Sequence, residues 1–101
     1  FSFIYIRCNG ETAIRRRGEG DIWQGLWELP TKELLGNAIE NATLIKKNVK
    51  HILTHQIIFA DFYLLETNVP PTLPADYIWI KESEIERYAL PRLIDLLVKS
   101  L

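Results

Sequence analysis

Residues 2–17, Ser-Phe-Ile-Tyr-Ile-Arg-Cys-Asn-Gly-Glu-Thr-Ala-Ile-Arg-Arg-Arg, decide the fold of this chain. Ser2–Cys8 is rich in aromatic and β-branched residues, and Thr12–Arg17 follows the pair Asn9-Gly10. Because Asn-Gly supplies the positive φ angles of a tight hairpin turn, the two segments are predicted to pair as antiparallel strands. The first strand is apolar on both of its faces, which is typical of a central strand covered on both sides.

The middle of the chain is predicted to alternate loops and strands. Residues 18–30 contain three glycines and end in a proline, so they are predicted to form an ordered loop. Apolar residues recur at helical spacing after Thr31, which predicts a short helix with Thr31 as its N-cap. Further strands are predicted at Val49–Leu53, Ile57–Glu66 and Tyr77–Ile80, with a turn at Thr54-His55-Gln56 and a proline-rich loop at Asn68–Asp76. The strand Ile57–Glu66 is nearly all apolar or aromatic, which predicts that it is buried.

The C-terminal part is predicted to be helical. Ser83-Glu84-Ile85-Glu86 has the form of a capping box, which begins a short helix. Pro91 suits the first turn of a final helix. That helix carries an apolar stripe formed by Leu93, Ile94, Leu97, Val98 and Leu101. Strands followed by a loop, a helix, more strands and more helices predict an α+β domain, a mixed sheet with helices packed on it.

The composition fits one folded domain over residues 1–101. Hydrophobic residues make up 48% and charged residues 25% of the chain, which is ordinary for a globular protein. No apolar stretch approaches the roughly 20 residues that a membrane span needs, so no membrane partner is expected. The chain enters a predicted core strand at once, without Met or the basic start of a signal peptide. We therefore expect an intracellular domain excised from a longer protein.

Charge is distributed unevenly along the chain. The net charge of −1 argues against a generic nucleic-acid binder. Residues 1–56 nevertheless carry eight Lys and Arg against six Asp and Glu, whereas residues 57–101 carry four against seven. Basic clusters of this kind are often solvated surface, but two of them can also meet a phosphate backbone. The candidate phosphate contacts are Arg15, Arg16, Arg17, Lys46, Lys47 and Lys50.

Residues for catalysis or metal binding are sparse. The single cysteine, Cys8, cannot form an internal disulfide and is predicted to be a small buried hydrophobe. His51 and His55 have the spacing of a helical metal site, but their neighbours favour a strand and a turn. We therefore expect His51 to be hydrogen-bonded within the fold. No serine lies in a strained turn of the Gly-x-Ser-x-Gly kind, so neither a catalytic residue nor a metal site is predicted.

The stretch Gly25-Leu26-Trp27-Glu28-Leu29-Pro30, after a basic strand, resembles a Nudix domain. Nudix hydrolases hold a divalent cation through a helix with the pattern Gly-x5-Glu-x7-Arg-Glu-x-x-Glu-Glu-x-Gly, because a hard cation on a diphosphate needs converging carboxylates. None of the five glycines here has Glu six residues later, and no Glu-Glu pair occurs. Glu33 and Glu40 are too far apart to form that cluster. The resemblance implies a Nudix-like sheet without the catalytic box.

Several segments are similar, in order along nearly the whole chain, to the C-terminal domain of the MutY family of adenine DNA glycosylases. They are residues 22–30, residues 49–55, Trp79-Ile80 and Tyr88-Ala89-Leu90-Pro91-Arg92. The resemblance implies that a separate N-terminal domain with an iron–sulfur cluster hydrolyses the glycosidic bond of adenine. This domain, itself without cofactor or catalysis, would recognise the opposing 8-oxoguanine. The implied partners are duplex DNA containing 8-oxoguanine·adenine and the catalytic domain, in a bacterial cytoplasm or a eukaryotic nucleus or mitochondrion.

In this resemblance, Leu53-Thr54-His55 corresponds to the lesion-reading loop, where family members commonly carry Phe-Ser-His. Leu53 keeps an apolar wedge but has no ring to stack. Oxidation gives guanine a carbonyl at C8 and turns N7 into a donor, so the Thr54 hydroxyl can accept from the lesion. His55 can donate to a base edge or a phosphate.

Two other functions are compatible with the same sequence. A Nudix hydrolase of nucleoside diphosphate derivatives is one, and the missing carboxylates count against it. The other is a Nudix-like protein-interaction module in which Trp23 and Trp27 form an exposed anchor.

Overall fold

The computed structural model describes residues 1–18 and 24–101. Its strands are β1 (Ser2–Cys8), β2 (Glu11–Arg16), β3 (Trp27–Glu28), β4 (Thr43–Ile52), β5 (Ile57–Thr67) and β6 (Ile78–Lys81). Its helices are a first 3₁₀ helix (Lys32–Asn41), a second 3₁₀ helix (Glu82–Arg87) and the α-helix α1 (Arg92–Lys99). The strands form one mixed sheet in the order β3-β2-β1-β5-β4, with β6 paired to β2. The predicted α+β class is confirmed.

The β1–β2 hairpin forms as the sequence predicts. Asn9 and Gly10 both have positive φ angles, 52° and 83°, and Cys8 pairs with Glu11 across the turn. Positive φ at both central residues matches the right-handed twist of the two strands. The predicted hairpin is therefore confirmed.

Strand β1 lies in the middle of the sheet and is covered on both faces. It runs parallel to β5, in register from Ser2 opposite Asp61 to Cys8 opposite Thr67. One face contributes to the main core, formed by Phe3, Tyr5, Ile14, Leu29, Ile58, Ala60, Phe62, Ile80, Ile85, Leu93, Ile94 and Leu97. The other contributes to a second core, formed by Ile4, Ile6, Cys8, Leu35 and Leu65. The prediction that Cys8 is a buried hydrophobe is thus confirmed.

A short strand lies where the sequence predicts only a loop. Trp27 and Glu28 pair with Arg16 and Arg15 of β2. Farther along, the Ile4 N–H donates to the Pro30 carbonyl at 2.8 Å. The end of the loop therefore links β2 to β1, while residues 19–23 lie outside the described residues.

Thr31 occupies the N-cap position as predicted, but its side chain makes no cap hydrogen bond. Its backbone also pairs with Phe3 as an isolated β-bridge. The helix after it is a 3₁₀ helix interrupted at Gly36, whose φ of 53° and ψ of −126° are not helical. The predicted capping box at Ser83 is wrong, because the second 3₁₀ helix begins one residue earlier, at Glu82, without a side-chain cap.

The predicted final helix forms as α1, but Pro91 is its N-cap and the first turn begins at Arg92. Leu93, Ile94 and Leu97 are buried in the main core, but Leu101 is exposed. The stripe is shorter than predicted because the helix ends at Lys99. No helix formed by residues 1–18 and 24–101 is long and apolar enough to cross a membrane.

Strand β4 begins at Thr43, before the predicted start at Val49. Its first half is irregular, with register shifts between Leu44 and Lys46 and between Lys46 and Val49. Asn48 has a φ of 52°, and its N–H donates to Asp61 Oδ1 at 2.9 Å. Because these bulges interrupt the alternation of apolar and polar residues, the sequence pattern does not predict the first half of β4 as a strand.

Candidate functional site

The turn Leu53–Gln56 joins β4 to β5 at the edge of the sheet. The last strand pair is Ile52 opposite Ile57, and the Leu53 N–H donates to the Gln56 carbonyl at 2.8 Å. The side chains of Thr54, His55 and Gln56 are exposed. The four turn residues line a shallow concavity of about 260 Å³. The predicted lesion-reading residues Thr54 and His55 are therefore accessible to a macromolecule.

Leu53 differs from the rest of the turn. Its side chain is half-buried and packs against the main core, so it anchors the turn to the domain. Its predicted role as a wedge stays a prediction. The neighbouring Ile52 and Ile57 are more accessible, at 68% and 53% exposure.

The prediction that β5 is buried is wrong at its first residues. Ile57 and Phe59 are each 53% exposed, whereas Ile58 and Ala60 are buried. Successive side chains on a strand point to opposite faces, so one face of β5 meets the main core here and the other is open. The exposure of Ile57 and Phe59 could not be predicted from the sequence, because an all-apolar strand gives no indication of which end is covered.

The three candidate lysines all lie on β4, the strand that leads into the turn. Lys46, Lys47 and Lys50 are exposed and form no ion pair within the described part of the chain. Lys50 lies directly opposite Phe59 of β5. These cations are available to a phosphate backbone beside the turn.

The arginine cluster is engaged within the domain. Arg15 Nε donates to Glu28 Oε1 at 2.7 Å and its Nη1 pairs with Asp76 Oδ2 at 3.0 Å. Arg17 also forms an ion pair with Glu28, whose carboxylate is buried. Arg16 is exposed, and its Nε donates to the Gly25 carbonyl at 3.2 Å.

The structure does not bring the arginines and the lysines into one site. Arg15 and Arg16 lie on β2, and Arg17 comes directly after it. The lysines lie on β4, and β1 and β5 lie between β2 and β4. Strands in a sheet are spaced by roughly 4.8 Å, which separates β2 from β4 by about 14 Å. The lysines and the arginines therefore form two separate basic surfaces.

Tyr77 lies beside this arginine cluster, with the Arg15 guanidinium 5.7 Å from the centre of its ring. Burial, and then the negative charge of Glu28, raises the pKa of Tyr77 to about 12. In the unfolded chain the pKa of tyrosine is about 10. Keeping Tyr77 un-ionised therefore stabilises the folded domain fully below pH 10. This contribution is lost as the pH rises towards 12, because the tyrosine of the unfolded chain ionises first.

We expect Tyr77→Phe to make the free energy of unfolding fall less steeply with pH between pH 10 and 12. The tyrosinate absorbance at 295 nm and the urea midpoint, both followed against pH, measure this effect. Tyr5, whose pKa burial and Glu82 also raise, is present in both proteins, so the difference isolates Tyr77. Identical pH profiles for the two proteins would contradict the prediction.

Trp27 is not the exposed anchor that the interaction-module hypothesis requires. It is half-buried and meets Tyr88 edge-on, with ring centres 5.0 Å apart at 77°. Its backbone N–H donates to the Ala89 carbonyl at 2.8 Å. Trp23 lies outside the described residues. The Gly-Leu-Trp-Glu and Ala-Leu-Pro-Arg motifs thus pack against each other.

The described residues offer no cluster of metal ligands. His51 is half-buried in β4, whereas His55 is exposed in the turn. Residues 1–18 and 24–101 hold no group of three His, Cys, Asp or Glu side chains placed for a metal ion. Glu33 and Glu40 are exposed on either side of the break at Gly36, so they do not form the cation cluster of a Nudix hydrolase.

Comparison with known proteins identifies the fold. A profile described as a NUDIX domain matches residues 2–100. The C-terminal domain of mouse MUTYH, solved in complex with human PCNA, superposes with a TM-score of 0.77 and 16% identity, over 98% of this chain and 83% of that chain. A MutT protein from Methanosarcina mazei Go1 gives 0.62 and 20%, over 98% and 89%. The Nudix hydrolase RenU from M. smegmatis gives 0.60 and 14%, over 97% and 79%.

A comparison with curated protein sequences finds no significant match. At these identities, similarity to the solved structures shows the fold alone. The predicted Nudix-like fold is confirmed.

Proposed function

The chain belongs to the NUDIX domain family, and we propose that it recognises 8-oxoguanine opposite adenine in duplex DNA on behalf of an adenine DNA glycosylase. The exposed turn Thr54-His55-Gln56, at the end of a hairpin that carries three exposed lysines, supports this proposal. Its fold, similar to that of the MUTYH C-terminal domain, supports a context of DNA repair. Hydrolysis of the adenine glycosidic bond would occur on a separate catalytic domain that holds the iron–sulfur cluster.

The discrimination rests on two hydrogen bonds made together. In 8-oxoguanine, N7 carries a hydrogen and C8 carries a carbonyl, whereas N7 of guanine is an acceptor. The Thr54 hydroxyl accepts from N7–H while the His55 imidazole donates to the C8 carbonyl. A hydroxyl can also donate to guanine N7, so Thr54 contributes to the discrimination only while His55 holds the base by its C8 carbonyl. The pair is selective because guanine offers His55 no acceptor at C8.

The lysines of β4 supply affinity that does not depend on sequence. Phosphate contacts fix the position of a protein on the duplex, and contacts to base edges specify the base. Lys50, nearest the turn, positions the reading residues, and Lys46 and Lys47 extend the contact along the strand. Of the arginines, Arg16 is the one most open to a phosphate, because Arg15 and Arg17 pair with Glu28.

Nucleotide hydrolysis is not supported by the same site. The carboxylates Glu33 and Glu40 that follow the Gly-Leu-Trp-Glu block are exposed and separated by the break at Gly36. A cation bridging a diphosphate needs several carboxylates on one face. Magnesium-dependent hydrolysis of an oxidised nucleotide by this chain would contradict the proposed role.

Thr54→Val and His55→Ala, placed in the full-length glycosylase, are each expected to reduce its preference for 8-oxoguanine·adenine over guanine·adenine about ten-fold. One base-edge contact contributes roughly 1–3 kcal/mol of discrimination. Single-turnover rates of adenine excision from the two duplexes give the preference. Thr54→Ser, which keeps the hydroxyl, and Thr72→Val, at an exposed threonine in the proline-rich loop, serve as matched controls.

In the same series, a ¹H–¹⁵N titration of the chain with the lesion duplex locates the contact. We expect the largest shifts at residues 52–57 and weak overall affinity. Preferences that stay at the wild-type value in both Thr54→Val and His55→Ala would remove the assigned role.

A further inference from the structure

The open face of the β4–β5 hairpin carries an ordered block of four side chains. Lys50 lies opposite Phe59, and Ile52 lies opposite Ile57, one step nearer the turn. Directly opposite side chains on antiparallel strands are about 5 Å apart, so the four form one continuous surface, which we call the hairpin platform. Ile52 is 68% exposed, and Ile57 and Phe59 are each 53% exposed.

Within the described residues nothing covers this platform. Farther along β5, Tyr63 and Leu65 lie on the same face and pack into the second core against Leu35 of the first 3₁₀ helix. That helix does not reach the end of the hairpin. Two isoleucines and a phenylalanine side by side in water form an apolar patch of the kind that marks an interaction site.

Charge indicates the chemistry of the partner. Residues 41–60 contain three lysines and no Asp or Glu, whereas the rest of the chain carries nine Lys and Arg against thirteen Asp and Glu. The end of the hairpin nearest the turn is therefore cationic, within an otherwise anionic domain. A positively charged surface attracts a polyanion. A second copy of the chain docked through the same face would bring lysines against lysines.

We propose that the hairpin platform binds an unpaired nucleobase of a DNA strand, stacked on Phe59 with Lys50 against the flanking phosphate. An aromatic ring beside a cation is the arrangement by which proteins hold single-stranded nucleic acid without reading its sequence, because every base has a π-face. Ile52 and Ile57 extend the apolar surface towards the turn. This inference rests on the proposed function in one respect, namely that the turn and the platform contact the same DNA.

The test measures binding of the chain to a fluorescein-labelled thymidine octamer by fluorescence anisotropy. Phe59→Ala is expected to weaken binding about ten-fold, in keeping with the stacking of one base. Phe59→Leu, which keeps the apolar bulk but not the ring, is expected to weaken it nearly as much. Matched substitutions away from the hairpin are Val69→Ala, at a residue 74% exposed, and Lys32→Gln, at an exposed lysine of the first 3₁₀ helix. Both are expected to leave binding unchanged.

The role of Lys50 is tested by salt dependence. Each phosphate contact on a single strand contributes about 0.7 to the slope of log K against log salt. Lys50→Gln is therefore expected to reduce that slope by about 0.7, and Lys32→Gln to leave it unchanged. Wild-type slopes for both variants would remove Lys50 from the phosphate contact.

Two results would overturn the proposal. One is an unchanged octamer affinity in Phe59→Ala. The other is self-association of the wild-type chain in sedimentation velocity that Phe59→Ala abolishes while octamer binding persists, which would make the platform an interface between copies. Failure here is distinguishable from failure of lesion recognition, because Thr54→Val and His55→Ala report on lesion preference and the Phe59 variants report on affinity for an unmodified strand.

Discussion

Replacing Glu28 by alanine is expected to lower the free energy of unfolding by about 3 kcal/mol, because it leaves a buried ion-pair network without its anion. The Glu28 carboxylate is buried and pairs with both Arg15 and Arg17. Arg17 is itself largely buried, with 13% of its side chain exposed, so its guanidinium cannot turn to solvent without disturbing β3. Urea unfolding followed by far-ultraviolet circular dichroism measures the loss.

Two variants separate the charge of Glu28 from its shape. Glu28→Gln keeps the size and one acceptor oxygen, so it is expected to cost less than the alanine variant. Arg16→Gln changes an exposed side chain between the two paired arginines, and surface changes of this kind cost less than about 0.5 kcal/mol. Equal stability of Glu28→Ala and Arg16→Gln would show that the network contributes nothing.

Phe62→Ala is expected to cost about 3–5 kcal/mol, the usual loss for a large aromatic side chain removed from a core. Phe62 is fully buried in the main core. Phe59, three residues earlier on the same strand, faces the opposite side of the sheet and is 53% exposed. Phe59→Ala is expected to cost less than about 1 kcal/mol.

The pair Phe62→Ala and Phe59→Ala is best compared in one urea series at a fixed temperature. A small effect at Phe59 would show that the Phe59→Ala variant used in the octamer-binding test is folded. A large loss of stability in Phe59→Ala, comparable to that of Phe62→Ala, would mean that the open face is packed in solution.

The parts of the fold that the sequence predicts are those with local causes. The β1–β2 hairpin depends on Asn9 and Gly10, which lie between its strands, and α1 depends on Pro91 at its start. Strand β3 escapes prediction because it consists of two residues whose partners, Arg15 and Arg16, lie eleven or more positions earlier. The bridge between Thr31 and Phe3 escapes prediction for the same reason, because its two residues lie far apart in the sequence.

The candidate site was proposed from the resemblance, and the structure adds which of its residues are exposed. The resemblance located Leu53, Thr54 and His55, and the structure places the last two on the surface. The resemblance could not reveal that Leu53 packs inwards while Ile52 and Ile57 point outwards. Exposure at the end of a hairpin depends on how far the covering helix extends along it. Nor could charge counts reveal that Glu28 engages Arg15 and Arg17, which requires β3 to be in place.

The parallel pairing of β1 with β5 has a consequence for how the chain acquires its structure. Ser2 lies opposite Asp61 and Cys8 opposite Thr67, so the middle of the sheet joins segments from the two ends of a long stretch of sequence. Closing such a loop costs entropy before any contact repays it, and high contact order slows folding. During synthesis on the ribosome, β1 therefore cannot pair with β5 until residue 67 has left the exit tunnel. Until then, the apolar side chains that β5 covers stay exposed to solvent. The domain is then expected to fold in one late cooperative step.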